Sequence, residues 1–379
     1  MSGTCPSEGD GERYIHATDA VGDGVPGDHR GHEHFNHVRD TMGHRKVSRM
    51  KEKRSPSQLE ALWKESDMAC GEKVDAMVVI MRTNGCCWVK SGGCTMCGYR
   101  EASLNNVTED DLSKQLEQAL SRYKDEPFVK IYTSGSFLDD HEVPPAMRDR
   151  FLDAFSGCKR ILFESRPEFI TPDTVGSLPK NVTVALGLES SDPEVLRTSV
   201  RKGFTPDDIL RAGTLLKDTG LGVRTYLLLK PPFMTEAMAI EDAVRSARFA
   251  DPFSDEISIN PLNVQRATYV ERLWKRGEFR SPWIWSLVEV FRQLSGTVDA
   301  RLMSSPSGGG AMRGVHNCGE CDRAVLDAIE RFSFTQDIRD LDVTCKCTDR
   351  WGAYLRSETL LGSPADLDRD FENELVLRM

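Results

Sequence analysis

The sequence predicts an α/β protein: a partial, TIM-like (β/α)6 barrel followed by a small C-terminal segment held together by cysteine-bound metal. Three observations predict it. From Asp75 onward, short apolar runs alternate with amphipathic stretches, the pattern of βα repeats around a parallel sheet. Six of these runs end in polar, glycine- or cysteine-bearing stretches, at the strand ends where a barrel of this kind carries its chemistry. Eight of the eleven cysteines fall into two clusters, one directly behind the first apolar run and one beyond residue 315.

Taken in order, residues 1–55 hold six of the eight histidines among Gly, Asp and Ser and keep no apolar period, so a disordered polar extension is expected, its "DHRGHEHFNH" a solvated tail. The basic run His44–Arg54 is a solvated face or a tether for RNA phosphates, and "SPSQLEALWKES" predicts a helical lead-in over 56–73. The barrel is expected over 74–300. "DAMVVIMRT" is its first strand, followed by the cysteine loop and a helix opened by a Thr108–Asp111 capping box. "FVKIYTSGS", a helix after Pro144, "RILFES" and "VTVALGLES" come next. "TPDDILRAGTLLKDTG" is a helix with Thr205 as N-cap, Pro206 at its first position and Gly220 as its cap at the other end. "VRTYLLLK", the helix "TEAMAIEDAVRSARFA" and "DEISINP" complete six strands, and 301–379 is left as the cysteine-bound metal region.

Composition removes several function classes. A formal net charge of -10 argues against a general basic field for gripping nucleic acid, so any RNA contact is local or shared with a partner. No run approaches eighteen apolar residues and no secretory signal follows Met1, so no membrane association is expected and the protein is read as cytoplasmic. In that compartment clustered cysteines favour metal over disulfides.

Cys86, Cys94 and Cys97 lie as C-x7-C-x2-C, with Gly92 and Gly93 allowing the loop to fold back. Three thiolates leave one position of a metal cluster open for a ligand, whereas a structural zinc wants four; zinc with Cys87 as the fourth ligand, or plain thiols, are the other readings.

A loop of this kind behind the first barrel strand, with an aromatic close to the last cysteine, resembles the radical S-adenosylmethionine (SAM) superfamily. The resemblance implies that Cys86, Cys94 and Cys97 hold a 4Fe-4S cluster whose unique iron binds SAM, leaving Cys87 spare. The first gap is longer than the superfamily's usual C-x3-C and is similar to that in the radical domain of the elongator acetyltransferase. By the same resemblance Thr133, Ser134, Gly135 and Ser136 meet the amino group of SAM, Arg166 pairs with its carboxylate, and Glu189 accepts from its ribose hydroxyls.

Cys318, Cys321, Cys345 and Cys347, as C-x2-C and C-x-C, match a closed tetrahedral zinc site with His316 in reserve; a second iron–sulfur cluster accepts the same four thiolates. With "GCCWVKSGGCTMCGY", "SGSFLDDHEVP", "ESRPEFI", "LKPPFMTEAMAIED" and "HNCGECD…CKC", the chain over about 74–355 resembles the archaeosine-biosynthesis family of radical SAM proteins. That family implies cleavage of the lysine adduct of 7-cyano-7-deazaguanine in the D-loop of archaeal tRNA, by a 5′-deoxyadenosyl radical, to give archaeosine. It also implies a lysine-transferring archaeosine synthase subunit as partner and a low-potential electron donor such as ferredoxin. Lys230, Asn260 and Gln265, at the ends of the fifth and sixth strands, are candidates for meeting the adduct, against a bland role as rim hydrogen bonds. Trp274, Trp283 and Trp285 are expected in the core or in a lid. The rival readings are another radical SAM tRNA modifier, a methylthiotransferase or an elongator-like enzyme, and a non-catalytic zinc and RNA-binding adaptor.

Overall fold

The computed structural model describes residues 55–101 and 103–361, so the His-rich extension and the whole basic run lie outside the described residues. One eight-stranded sheet runs in sequence order: β1 (Ala61–Ala69), β2 (Glu72–Ile80), β3 (Phe128–Tyr132), β4 (Arg160–Ser165), β5 (Val182–Glu189), β6 (Gly222–Leu229), β7 (Glu256–Pro261) and β8 (Arg301–Met303). Strands β2 to β8 are parallel, while β1 pairs antiparallel with β2. The six expected strands are β2 to β7, and the sheet carries one further strand at each edge.

The helical lead-in is corrected by β1. Ala, Leu, Glu and Lys favour a helix here, but all nine residues of β1 find partners on β2, Ala61 opposite Ile80 through Ala69 opposite Glu72. Tertiary pairing overrides local propensity. β8 has three residues, too few to display an alternation.

The helices between strands are α1 (Glu109–Arg122), α2 (Pro145–Ala154), α3 (Pro172–Gly176), α4 (Pro206–Asp218) and α5 (Glu236–Ala250). α6 (Tyr269–Lys275) and α7 (Ile284–Leu294) precede β8, and α8 (Asp322–Thr335) and α9 (Cys347–Leu361) follow it. The reciprocal Thr108–Asp111 capping box opens α1. Thr205 caps α4 with Pro206 inside its first turn, and the helix closes on Thr219; Gly220 stands one residue beyond, at φ +73°.

Strand alternation sorts the side chains into two environments. Val129, Ile131, Ile161, Phe163, Val184 and Leu186 face outward into one core shared with the helices, to which Trp283, Trp285, Val325, Ile329 and Phe332 also belong. Ala76, Phe128, Leu162 and Ala185 face inward as an apolar layer, bordered by Tyr132 and Tyr226. Around that layer, level with it across the sheet, the interior is filled by charge. Lys130 Nζ reaches Glu65 (2.5 Å) and Asp67 (2.6 Å), Arg224 bridges Asp67 (2.9 Å) and Glu256 (2.7 Å), and Arg160 joins Glu256 at 2.7 Å. Arg301 on β8 meets Asp67 on β1 at 3.1 Å, so the first and last strands are tied across the interior by an ion pair. Burial pushes Asp67 up, but Arg224, Lys130 and Arg301 outweigh it and hold the carboxyl well below its usual range. A network so fully paired tolerates burial; removing one member would orphan the others at about 3–5 kcal/mol. The interior is thus packed with paired charge and apolar side chains, and the loops with the recognised cysteine and polar segments follow the carboxyl ends of the strands.

Candidate functional site

The cysteine loop follows the carboxyl end of β2. Cys86 is extended (φ −62°, ψ 128°), a 3-10 turn covers Cys87–Ser91, and Gly92 and Gly93 reverse the chain at φ +104° and +71°. Cys94 and Cys97 are thereby brought back towards Cys86. The loop is stitched to the segment after β5: Trp88 Nε1 donates to the Arg201 carbonyl (2.8 Å), and Thr95 donates through its N–H to Val200 (3.0 Å) and through its hydroxyl to Ser199 (2.5 Å). Trp88 also packs on Gly203, where a Cβ would fall 2.4 Å from the ring. On the other side the Gly98 N–H donates to Gln265 Oε1 at 2.5 Å.

Burial pushes all four thiols up, Cys97 to about 12 and Cys87 to about 11. Cys97 feels the charge of Cys94 and Cys86, and Cys94 that of Cys86, while Lys202 acts on all three thiols in the opposite sense. The neighbours of Cys87 are Cys86, Asp139, Arg166 and Glu168. Lys202, which acts on the other three thiols, is not among them. Among the described residues, the His, Cys, Asp and Glu groups close enough to share a single ion are the four C-terminal cysteines, not this loop. A multi-iron cluster offers a separate iron to each thiolate and suits the wider triad. The donor set and the backbone cradle around it fit such a cluster.

The segment after β3 packs directly on the first cysteine. A Cβ at Gly135 would stand 2.6 Å from Cys86 Cα, so only glycine allows the two backbones to meet. Glu142 organises this segment: its carboxylate, buried at 1% exposure, accepts from the Thr83 hydroxyl (2.6 Å) and from the N–H groups of Gly135 (3.0 Å) and Ser136 (2.6 Å). Thr133, Ser134, Gly135 and Ser136 are thus held by a residue that sequence reasoning missed. Glu142 sits among Asp139, Asp140 and His141, and nothing in one sequence separates it from them.

Arg166 lies behind the loop, its guanidinium on Glu168 (2.5 Å) and the Lys202 carbonyl (3.0 Å), between the rings of Trp88 and Phe204. Ser136 Oγ accepts from the Arg166 N–H at 2.9 Å and joins the two strand ends. Glu189 sits at a bulge in β5 with φ +66° and takes Lys202 Nζ on Oε1 at 2.7 Å. Lys202, which the sequence reading left unassigned, is a second cation of the site beside Arg166. Burial works against its charge, but Glu189 and the Cys94 thiol outweigh it and hold it charged.

The three adduct candidates diverge. Gln265 braces Gly98, one residue past Cys97. Asn260 is half-buried at the end of β7 and accepts from the Ser258 hydroxyl at 3.3 Å. Lys230 is a correction. At φ +63° it leaves the strand's alternation, and its ammonium is buried on Glu236 (2.6 Å) and over the rings of Phe279 and Tyr354. Glu236 Oε1 in turn accepts from the Trp283 N–H and the Ser286 hydroxyl, so Lys230 braces helices α5 and α7 instead of meeting a ligand.

Cys318, Cys321, Cys345 and Cys347 present sulfurs all within 4.8 Å of one another, a spacing that fits one tetrahedral ion. Trp285 Nε1 donates to Cys347 Sγ at 3.1 Å and Asn317 Nδ2 to Cys321 Sγ at 3.4 Å, outer contacts of the kind that tune a thiolate site. His316 is not in the set; its Nδ1 contacts the Gly314 carbonyl at 2.9 Å, and burial pushes its pKa down.

The chain is 41% identical over 324 residues to archaeosine synthase subunit beta of Methanosarcina acetivorans, a match covering 82% of this chain and 94% of that one. It is 36% identical over 305 residues to archaeosine synthase subunit beta of Thermococcus kodakarensis, covering 76% and 94%. Among solved structures, Elp3 of Methanocaldococcus infernus superposes with a TM-score of 0.41 at 19% identity, over 63% of this chain and 59% of that one. No protein-family model matches the chain.

Proposed function

Because the chain belongs to the archaeosine synthase subunit beta family, we propose that it is a radical SAM enzyme of tRNA modification, acting on the lysine adduct of 7-cyano-7-deazaguanine in tRNA as a C–N lyase that leaves archaeosine. The observation that carries this reading is identity of 41% over nearly the whole of a named subunit beta. In it Cys86, Cys94 and Cys97 hold a 4Fe-4S cluster and Cys87 does not. The chemistry that cluster and SAM supply when bound is one-electron reductive cleavage, the source of a radical that abstracts hydrogen.

The chain's own residues orient and enclose. Thr133–Ser136, fixed by Glu142, turn backbone groups towards the amino end of SAM. The Arg166 fork and the Lys202 ammonium oppose its carboxylate. Glu189 gives Oε1 to Lys202 and keeps Oε2 for a ribose hydroxyl. The buried ion pairs and the Phe128–Leu162 layer fill the interior behind the reacting groups and exclude water from it. The partners in this reading are the lysine-transferring archaeosine synthase subunit, which makes the adduct, and a low-potential donor such as ferredoxin. The C-terminal four-cysteine site is assigned to structural zinc.

The test is anaerobic reconstitution followed by incubation with reductant, SAM and lysine-adducted tRNA, with nucleosides read by mass spectrometry. Archaeosine and 5′-deoxyadenosine together are expected. 5′-Deoxyadenosine without archaeosine would end the substrate assignment and spare the radical one. Cys94→Ala should abolish the iron–sulfur absorbance and Cys87→Ala should keep it; the reverse result overturns the ligand assignment.

A further inference from the structure

Glu164 takes no part in the arrangement above. It is the last inward-facing residue of β4: Ile161 and Phe163 face the helices, whereas Leu162 belongs to the apolar interior layer. The Tyr132 and Tyr226 hydroxyls, 3.3 Å apart, lie beside it, and their phenols are pushed up by burial with the charge of Glu164 adding to it. The other acidic groups here have partners within the chain. Glu142 has three donors, Glu189 has Lys202, and Glu236 has Lys230. Among the described residues none gives the Glu164 carboxylate a hydrogen bond or an ion pair, although it is half-buried. Burial pushes it up to about 7; Lys202 offsets this in part, while Glu189 and Glu142 add to it.

A confined carboxylate without a cation is costly to keep, and the chain has supplied cations or donors to its neighbours but not to this one. We propose that Glu164 receives an ammonium group of the substrate inside the barrel mouth, an inference that rests on reading the substrate as a lysine adduct. The free amine of that lysine is the cation the site lacks, and the faces of Tyr132 and Tyr226 would flank it. Glu164 is then the residue that tells an adducted tRNA from the same tRNA before lysine is added.

The experiment measures binding of the full chain, without SAM, to lysine-adducted tRNA, to the same tRNA carrying only the nitrile, and to adducted tRNA acetylated at its amine. The wild type is expected to favour the adducted tRNA. Glu164→Gln is expected to lose about tenfold or more of that affinity, the scale of one charge-assisted contact, and to bind adducted and acetylated tRNA alike. Glu164→Asp, which keeps the charge, should retain part of the preference and guards against a Gln variant that fails to fold. A Gln variant that discriminates as well as the wild type overturns the proposal and leaves the substrate reading intact. A wild type that does not discriminate overturns the substrate reading and this proposal with it. If Glu164→Gln instead weakens only SAM binding, the cation is that of SAM and the proposal falls.

Discussion

Gly135 lies so close to Cys86 that a Cβ on the glycine would stand 2.6 Å from the cysteine's Cα and 2.7 Å from its Cβ. Gly135→Ala must therefore displace the backbone that presents the first thiol, at an overpacking cost of about 1–3 kcal/mol. The expected outcome is a folded protein, by far-ultraviolet circular dichroism, that takes up well under half of the wild-type iron on anaerobic reconstitution. Full iron uptake would mean that the Cys86 position does not matter to cluster loading.

Glu142 is the hub of the same contact. Replacing it with alanine orphans the Thr83 hydroxyl and the N–H groups of Gly135 and Ser136, all in a closed environment. Each buried unmet donor costs about 1–3 kcal/mol, so Glu142→Ala should lower the unfolding free energy by about 3 kcal/mol or more in urea titrations. A loss under about 1 kcal/mol would show that water replaces the carboxylate freely.

The four-cysteine site is coupled to the barrel through α9. Cys347 opens that helix and accepts from Trp285 on α7, Trp351 donates to Ser286, and Glu358 accepts from the N–H of Glu236 at the start of α5. Metal analysis of the purified protein should find about one zinc per chain in addition to cluster iron. Removing it with a chelator, or by Cys321→Ser, should speed amide exchange over 345–358 and also at the first turn of α5. Exchange confined to the cysteines themselves would mean that α9 docks without the metal.

How far these features could be read from the sequence varies with the physics behind each. Strands β2 to β7 were legible because apolar runs alternate with capped helices, and Thr108 and Thr205 cap as their spacing requires. β1 was not, because its composition suits a helix and its pairing with β2 is a property of the folded sheet. Gly135 could be picked out as a glycine at a strand end, but not its contact with Cys86. Lys230 shows where the rule for polar strand ends fails: a residue at φ +63° no longer follows the strand's alternation, so its side chain turns to Glu236. Glu142 stood inside a recognised segment and Lys202 between two of them, and only folding shows which charges those segments bring together.

Glu164 gives the sharpest pH test. Its ordinary value is 4.5 and burial raises it to about 7 in the folded chain, so the native state holds its proton more tightly than the unfolded one. A raised value contributes stability that is fully present below about 4.5 and is lost as the pH climbs through 7. Across that window the loss from this one group is at most about 3 kcal/mol, at about 1.4 kcal/mol for each pH unit. Glutamine cannot ionise and escapes the loss, while the other titrating groups cancel in the difference between variant and wild type. Glu164→Gln should thus match the wild type within error at pH 4.5 and exceed it by about 1–3 kcal/mol at pH 8, measured by urea unfolding at fixed ionic strength. A variant that gains stability while losing its preference for the adducted tRNA would mark Glu164 as a charge kept for a ligand at the expense of the fold. A difference that stays flat between the two pH values would mean that the carboxylate already has a partner in the native chain.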